Sequence, residues 1–290
     1  MIDSPTRPVL RYFGGKWRLA PWVISYFPPH RVYIEPYGGA ASILMQKKRS
    51  HAEIYNDIDS EIVNVFKVLQ KKEDAWELER LVRLTPYSRD EFETAYLQSD
   101  DPIEQARRTI IKAFMGHGSD SIHKKKPSDN GMFTRITTYK PSTGFRANSN
   151  RSGVTPANDW RNYPGQIAAF VKRLQGVIIE NRPAIKIIES YDKPDALIYV
   201  DPPYLMDTRK RKDHGYRFEL TKRDHCELSE SLHSVKGMVI ISGYQCPLYD
   251  ELYPDWQKYK CKVRTFGTSS GAIEVLWVSP KVPLNHQLLF

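Results

Sequence analysis

The sequence predicts an α/β fold in which a mostly parallel sheet is interrupted by one inserted region. Three observations carry this. Strand and helix follow one another twice before residue 75, the first pair joined by a glycine turn, and apolar strands alternate with helical stretches again after residue 166. Between them, Gly116 to Pro164 is basic and rich in Gly, Ser, Asn and Thr. Strands alternating with helices imply βαβ units and parallel pairing.

Each element has a local reason. Val32-Tyr33-Ile34-Glu35 is a short apolar, β-prone run, followed by Pro36-Tyr37-Gly38-Gly39 and a helical stretch from Ala40 to Lys48. Glu53-Ile54-Tyr55 reads as a second strand ending at Asn56-Asp57-Ile58-Asp59. A helix follows from Ser60, with Ile62, Val63, Phe66 and Leu69 at helical spacing and Asp59 or Ser60 as N-cap. Ile103 to Met115 is helical in pattern, whereas Gly116 to Pro164 has little periodicity. Order returns with a helix near 166–174, a strand at Val177-Ile178-Ile179, a helix near 184–191 and the apolar strand Ala196 to Val200. A helix at 222–233, a strand at Met238 to Ser242 and one hairpin arm at Val275 to Val278 complete the pattern. Residues 1–75 with 166–290 are therefore expected to form the sheet-bearing domain, and 76–165 an inserted, mainly helical and irregular region.

Charge points to a polyanionic partner. The formal net charge of the 290 residues is +9. Between Asp101 and Gly165, 11 Lys and Arg face 5 Asp and Glu, so most of the excess sits in that one segment, as a DNA-facing surface requires. No run of 18 apolar residues exists and the N-terminus lacks an apolar signal core, which predicts a cytoplasmic protein with no membrane contact. Cys226, Cys246 and Cys261 lie far apart and fit no CxxC pattern. His117 and His123 have no third ligand nearby, so no metal is expected.

Asp201-Pro202-Pro203-Tyr204 directly follows the apolar strand, where ligands bind in open parallel sheets. An exocyclic amine on a conjugated base is a poor nucleophile because its lone pair is delocalised into the ring. The Asp201 carboxylate and the Pro202 carbonyl can accept its two hydrogens, and Tyr204 offers a flat face to an extruded base. Those residues suit adenine N6 and cytosine N4 alike. Glu35-Pro36-Tyr37-Gly38-Gly39 lets a ligand approach the backbone, though a tight βα turn would look the same. It is not GxGxxG, which disfavours a dinucleotide oxidoreductase. Asp57, about 20 residues beyond Glu35, is placed to hold ribose hydroxyls or simply to cap a helix. In Arg11-Tyr12-Phe13-Gly14-Gly15-Lys16, a glycine pair could bring an ammonium to a ligand carboxylate.

Together these motifs resemble the Dam-type adenine-N6 DNA methyltransferases, the D12 class in its alpha arrangement, and most closely the phage-encoded members. The order Phe13-Gly14-Gly15-Lys16, Glu35 to Gly39, Asn56-Asp57-Ile58, variable region, Asp201 to Tyr204 spans the whole chain. The resemblance implies a Rossmann-like methyltransferase fold with an inserted DNA-recognition region, and S-adenosylmethionine as cofactor, leaving as S-adenosylhomocysteine. It implies that Tyr12, Gly14, Gly15, Lys16, Glu35, Gly38, Gly39, Asp57, Asn181, Arg182 and Asp201 surround the cofactor. Lys16 would meet the methionine carboxylate, Glu35 its amino group, Asp57 the ribose, and Asn181 and Arg182 the adenine edge. Asp201, Pro202 and Tyr204 would hold the target base of double-stranded DNA.

For DNA contacts, Lys124, Lys125, Lys126 and Arg135 suit phosphates, and Arg146, Asn148 and Arg151 suit base edges. Arg209 and Arg211 belong to a basic loop after Tyr204, expected to close over the base or the backbone. A monomer acting alone is expected, with a restriction partner not excluded. The rival readings are an N4-cytosine DNA methyltransferase and a non-catalytic DNA-binding protein on the same scaffold.

Overall fold

The computed structural model describes residues 4–118, 121–122, 144–147, 155–209, 216–263 and 272–283. Its strands are β1 (Val32–Glu35), β2 (Ala52–Asn56), β3 (Val177–Glu180), β4 (Ala196–Val200), β5 (Met238–Tyr244), β6 (Gln257–Val263) and β7 (Ala272–Val278). Its helices are α1 (Ala20–Ile24), α2 (Ser42–Gln46), α3 (Ser60–Gln70), α4 (Lys72–Leu84), α5 (Arg89–Thr94) and α6 (Pro102–Met115). They continue with α7 (Pro156–Arg161), α8 (Ile167–Leu174), α9 (Ala184–Tyr191), α10 (Lys222–Ser234) and α11 (Pro247–Leu252). Two compact units divide the chain: Met1–Trp17 with Asp59–Gln175, and Arg18–Ile58 with Gly176–Phe290.

The second unit holds the sheet, ordered β3-β2-β1-β4-β5-β7-β6. β1 to β5 run parallel, while β7 is antiparallel to both β5 and β6, so the C-terminal arm is a hairpin as its pattern predicts. β1 and β4 are buried at every position, as expected of strands covered on both faces. Their core joins Ile34, Ile54, Ile198 and Ile241 to Ile187, Leu228, Tyr249 and Trp277. From β1 the chain steps outward through β2 to β3, and from β4 in the opposite direction to β5. The crevice at the carboxyl ends of β1 and β4 is therefore the topological switch point, where open α/β sheets bind ligands. This is the Rossmann-like arrangement the sequence implies.

The first unit is helical. Asp59 caps α3, its side chain accepting from Glu61 N at 3.0 Å. α3 packs on α6 and α8, and α4 on α6, around Phe66, Phe92, Tyr96, Phe114, Tyr163 and Phe170, all buried. Lys112 and Glu61 form a buried ion pair, to which Gln105 Nε2 adds a hydrogen bond at 2.7 Å. The sequence groups residues 1–17, 59–75 and 166–175 with the sheet, but by compactness all three lie in the helical unit, where α3 and α8 pack on each other. α7 also lies in a stretch whose sequence showed little periodicity. Thr155 caps it by accepting from Asn158 N at 3.2 Å.

Candidate active site

The glycine turn is built by crowding from below. A Cβ on Gly38 would lie 2.1 Å from Cε2 and 2.5 Å from Cδ2 of Tyr55, so no side chain fits there. Gly38 N donates to Asn56 O at 2.7 Å, and Tyr55 Oη donates to Gly39 O at 2.7 Å. Gly39 takes φ 47° and Ala41 φ 52°, both left-handed, which bends the chain sharply into α2. Asp57 Oδ2 accepts from Gly39 N at 2.8 Å, so this carboxylate, at the carboxyl end of β2, touches the turn directly.

Glu35 stands differently from its expected place. Its carboxylate is buried, and Oε2 accepts from Tyr33 Oη at 2.8 Å and from Leu44 N at 3.1 Å. It thus braces β1 against α2. Burial pushes this carboxyl up to about 8; the Asp201 charge adds to that, against the two hydrogen bonds that pull it down.

Asn56 stands in the motif before Asp57, but the sequence reading gave it no role of its own. Its Nδ2 donates to Pro36 O at 2.8 Å and to Arg182 O at 3.0 Å, while its Oδ1 accepts from Arg182 N at 2.9 Å. One fully buried amide therefore ties together the carboxyl ends of β1, β2 and β3. The available signal was a polar residue closing an apolar strand, which must be satisfied once buried. Asn181 and Arg182 are exposed beyond β3, and Asn181 Nδ2 donates to the carbonyls of Asp57 at 2.8 Å and Ile58 at 3.1 Å.

Asp201 follows β4 immediately. Its Oδ1 accepts from Ser242 Oγ at 2.8 Å, and Ser242 Oγ lies 3.1 Å from Tyr199 Oη. Ser242 sits on the neighbouring strand β5 and is fully buried, so the carboxylate is oriented from inside the sheet. Tyr204 is 8% exposed, with its ring edge-on to Tyr244 at 4.8 Å and 73°. Its hydroxyl donates to the buried carboxylate of Glu274. A small recess beside it is lined by Leu205, Thr208, Gly243, Tyr244, Cys246 and Tyr249. His225, 1% exposed, lies against the backbone of Pro203 and meets Tyr249 Oη at 3.1 Å; burial pushes its pKa down to about 4, so the ring is neutral.

Arg209 corrects the expectation of a solvent-facing loop cation. It is buried, forks onto Glu219 at 2.8 and 2.7 Å, and donates to the Tyr204 carbonyl. Its charge is used to pin the turn that ends at Tyr204. Arg211 lies outside the described residues.

The remaining predicted residues belong to the helical unit. Gly15 N donates to Tyr12 O at 3.1 Å, Gly14 takes φ 73°, and the buried Lys16 donates from Nζ to Gly14 O at 3.0 Å. The glycine pair thus forms a tight turn that folds the lysine back on itself. Arg146 is also mostly buried. It lies 3.8 Å from Asp159, which Arg7 engages at 3.0 Å, and its carbonyl accepts from Tyr87 Oη at 2.7 Å. Arg11 shares this cluster, and burial together with Arg146 lowers its pKa to about 10. Lys124, Lys125, Lys126, Arg135, Asn148 and Arg151 lie outside the described residues. Among the described residues no group of His, Cys, Asp and Glu is arranged to hold a metal ion, and no helix is long and apolar enough to cross a membrane.

Residues 12–265 match the family model of D12 class N6 adenine-specific DNA methyltransferases. The chain is similar to the DNA adenine methylase of Salmonella typhi, 22% identical over 279 residues that cover 91% of this chain and 90% of that protein. It is similar to the DNA adenine methylase of Haemophilus influenzae, 24% identical over 276 residues, 89% of this chain and 86% of that one. The DNA N-6-adenine-methyltransferase of Escherichia phage P1 is 22% identical over 258 residues, 86% of this chain and 31% of the phage protein.

Proposed function

The chain belongs to the D12 class of N6 adenine-specific DNA methyltransferases, its reaction is therefore methyl transfer to adenine N6 in DNA, and we propose that it works on a base turned out of the duplex against Asp201, Pro202 and Tyr204. The observation that carries this reading is the Asp201 carboxylate at the switch point, oriented by Ser242 at 2.8 Å. Held this way, Asp201 accepts one hydrogen of the exocyclic amine and the Pro202 carbonyl accepts the other. The nitrogen lone pair is thereby withdrawn from the ring and aimed outward. Tyr204 supports the base face. Catalysis comes from positioning and from acceptors in place before reaction.

Family membership implies S-adenosylmethionine as donor, and the sheet's carboxyl edge fits it. Asp57 offers a carboxylate to ribose hydroxyls at the end of β2, and the Gly38–Gly39 backbone presents no side chain to the methionine part. Asn181 and Arg182, exposed beyond β3, suit the adenine edge. Bound there, the sulfonium supplies an electrophilic methyl group and a neutral thioether leaving group. Glu35 contributes by holding the turn. The part assigned to Lys16 is a contact to the methionine carboxylate. DNA recognition is assigned to the insert, 76–165, and the protein is proposed to be cytoplasmic and to act as a monomer.

The test is Asp201→Ala. It should abolish formation of N6-methyladenine, measured by nucleoside analysis of digested DNA, while S-adenosylmethionine binding stays near wild type. Near-wild-type turnover in this variant, or N4-methylcytosine as the wild-type product, would refute the assignment.

A further inference from the structure

Tyr204 is held at three points. Its carbonyl accepts from Arg209, which is itself forked onto Glu219 and lies with its guanidinium 5.1 Å above the Tyr216 ring. Its ring edge is fixed by Tyr244. Its hydroxyl donates to Oε1 of Glu274, 70 residues away in sequence. Glu274 lies on β7 directly opposite Tyr244 on β5, so the same strand pair that places Tyr244 also places the acceptor. It is 3% exposed, in a strand whose next residues, Val275 and Trp277, are core. A carboxylate is expensive at such a position, where an apolar residue would pack at lower cost. At this position it grips the Tyr204 hydroxyl.

We propose that Glu274 is a positioning residue for methyl transfer, fixing through the phenolic hydroxyl the tilt of the Tyr204 ring and so the face presented to the target base. The proposal rests on the reading that Tyr204 supports that base. Burial and the nearby Asp201 and Glu274 charges push the Tyr204 hydroxyl well above its ordinary range, so it stays a donor across the working pH range. Glu274 itself does not touch the substrate.

The experiment compares Glu274→Leu, Glu274→Gln, Tyr204→Phe and Tyr204→Ala. Each is assayed for kcat and KM on duplex DNA, for cofactor affinity, and for fluorescence of 2-aminopurine at the target position, which stacking on an aromatic ring quenches. Glu274→Leu should lower kcat by about tenfold to a hundredfold, as small misplacements do. It should also raise the 2-aminopurine signal while leaving cofactor affinity unchanged. Glu274→Gln keeps an acceptor oxygen in place and should recover to within about threefold, since positioning and not charge is at stake. Tyr204→Phe, which leaves Glu274 intact, should reproduce the kcat loss and keeps the test open if the leucine variant does not fold. Wild-type kcat and quenching in Glu274→Leu or Tyr204→Phe, with Tyr204→Ala impaired, would overturn the inference and leave the base-support reading standing. A Glu274→Gln variant as defective as Glu274→Leu would also overturn it. Wild-type behaviour of Tyr204→Ala would instead sink the reading beneath it.

Discussion

Gly38→Ala is the smallest perturbation that reaches the proposed cofactor turn. The added methyl would lie 2.1 Å from Tyr55 Cε2, 2.5 Å from Cδ2 and 2.9 Å from Asn56 O. Ordinary carbon contacts begin near ~3.5 Å, so the ring must retreat by more than an ångström. It has nowhere easy to go. Tyr55 is fully buried, and its hydroxyl is bonded to Gly39 O at 2.7 Å. Overpacking of this kind costs about 1–3 kcal/mol, and a clash with both a fixed ring and backbone belongs at the upper end, about 3 kcal/mol. Because the displaced ring is tied to Gly39, S-adenosylmethionine affinity should fall by about tenfold or more. Urea denaturation would read the stability and isothermal titration the affinity. The decisive control is the same substitution in a Tyr55→Leu background, where most of the clash is removed. There the two changes should couple, the alanine costing at least 1 kcal/mol less. Strict additivity, or a Gly38→Ala protein of unchanged stability, would refute the crowding argument.

Two further outcomes follow from the same geometry. Ser242→Ala removes the buried donor to Asp201 Oδ1 and, at about 1.5–3 kcal/mol for a hydrogen bond to a charged group, should lower kcat by about tenfold to a hundredfold with cofactor affinity unchanged; equal loss in both would place Ser242 elsewhere in the cycle. Glu35 holds its proton to about pH 8 when folded but only to its ordinary 4.5 when unfolded, so its contribution to stability declines as pH rises from 4.5 through 8. Glu35→Gln should flatten that decline and exceed wild type by a few kcal/mol at pH 9, and melting profiles that stay parallel from pH 5 to 9 would rule this out.

Much of this protein is legible in short stretches of sequence. The apolar runs at 32–35 and 196–200 read as strands, and Asp59 or Ser60 as the cap that starts α3; the structure shows both strands and makes Asp59 the cap. Asp201-Pro202-Pro203-Tyr204 was legible as a turn directly after a strand, and the structure places it at the end of β4. These features depend on neighbours a few residues apart, where burial period and backbone preference act directly. The insert was harder to read, because α4 and α5 lie where only composition had been considered, and α7 is a single capped turn and a half. What tertiary structure alone decided are the partners. Asn56 closes on Arg182 across 126 positions, Ser242 on Asp201 across 41, and Tyr204 on Glu274 across 70. Each pairing follows from strand order, which sets β2 beside β3 and β4 beside β5, and folds β7 back against β5. A buried polar atom must find whatever partner that order brings near, and no local pattern encodes which one it is. The same rule turned Glu35 inward, where the family resemblance implies a cofactor contact, and drew Arg209 off the surface, where its run of basic residues had it closing over the base or the DNA backbone.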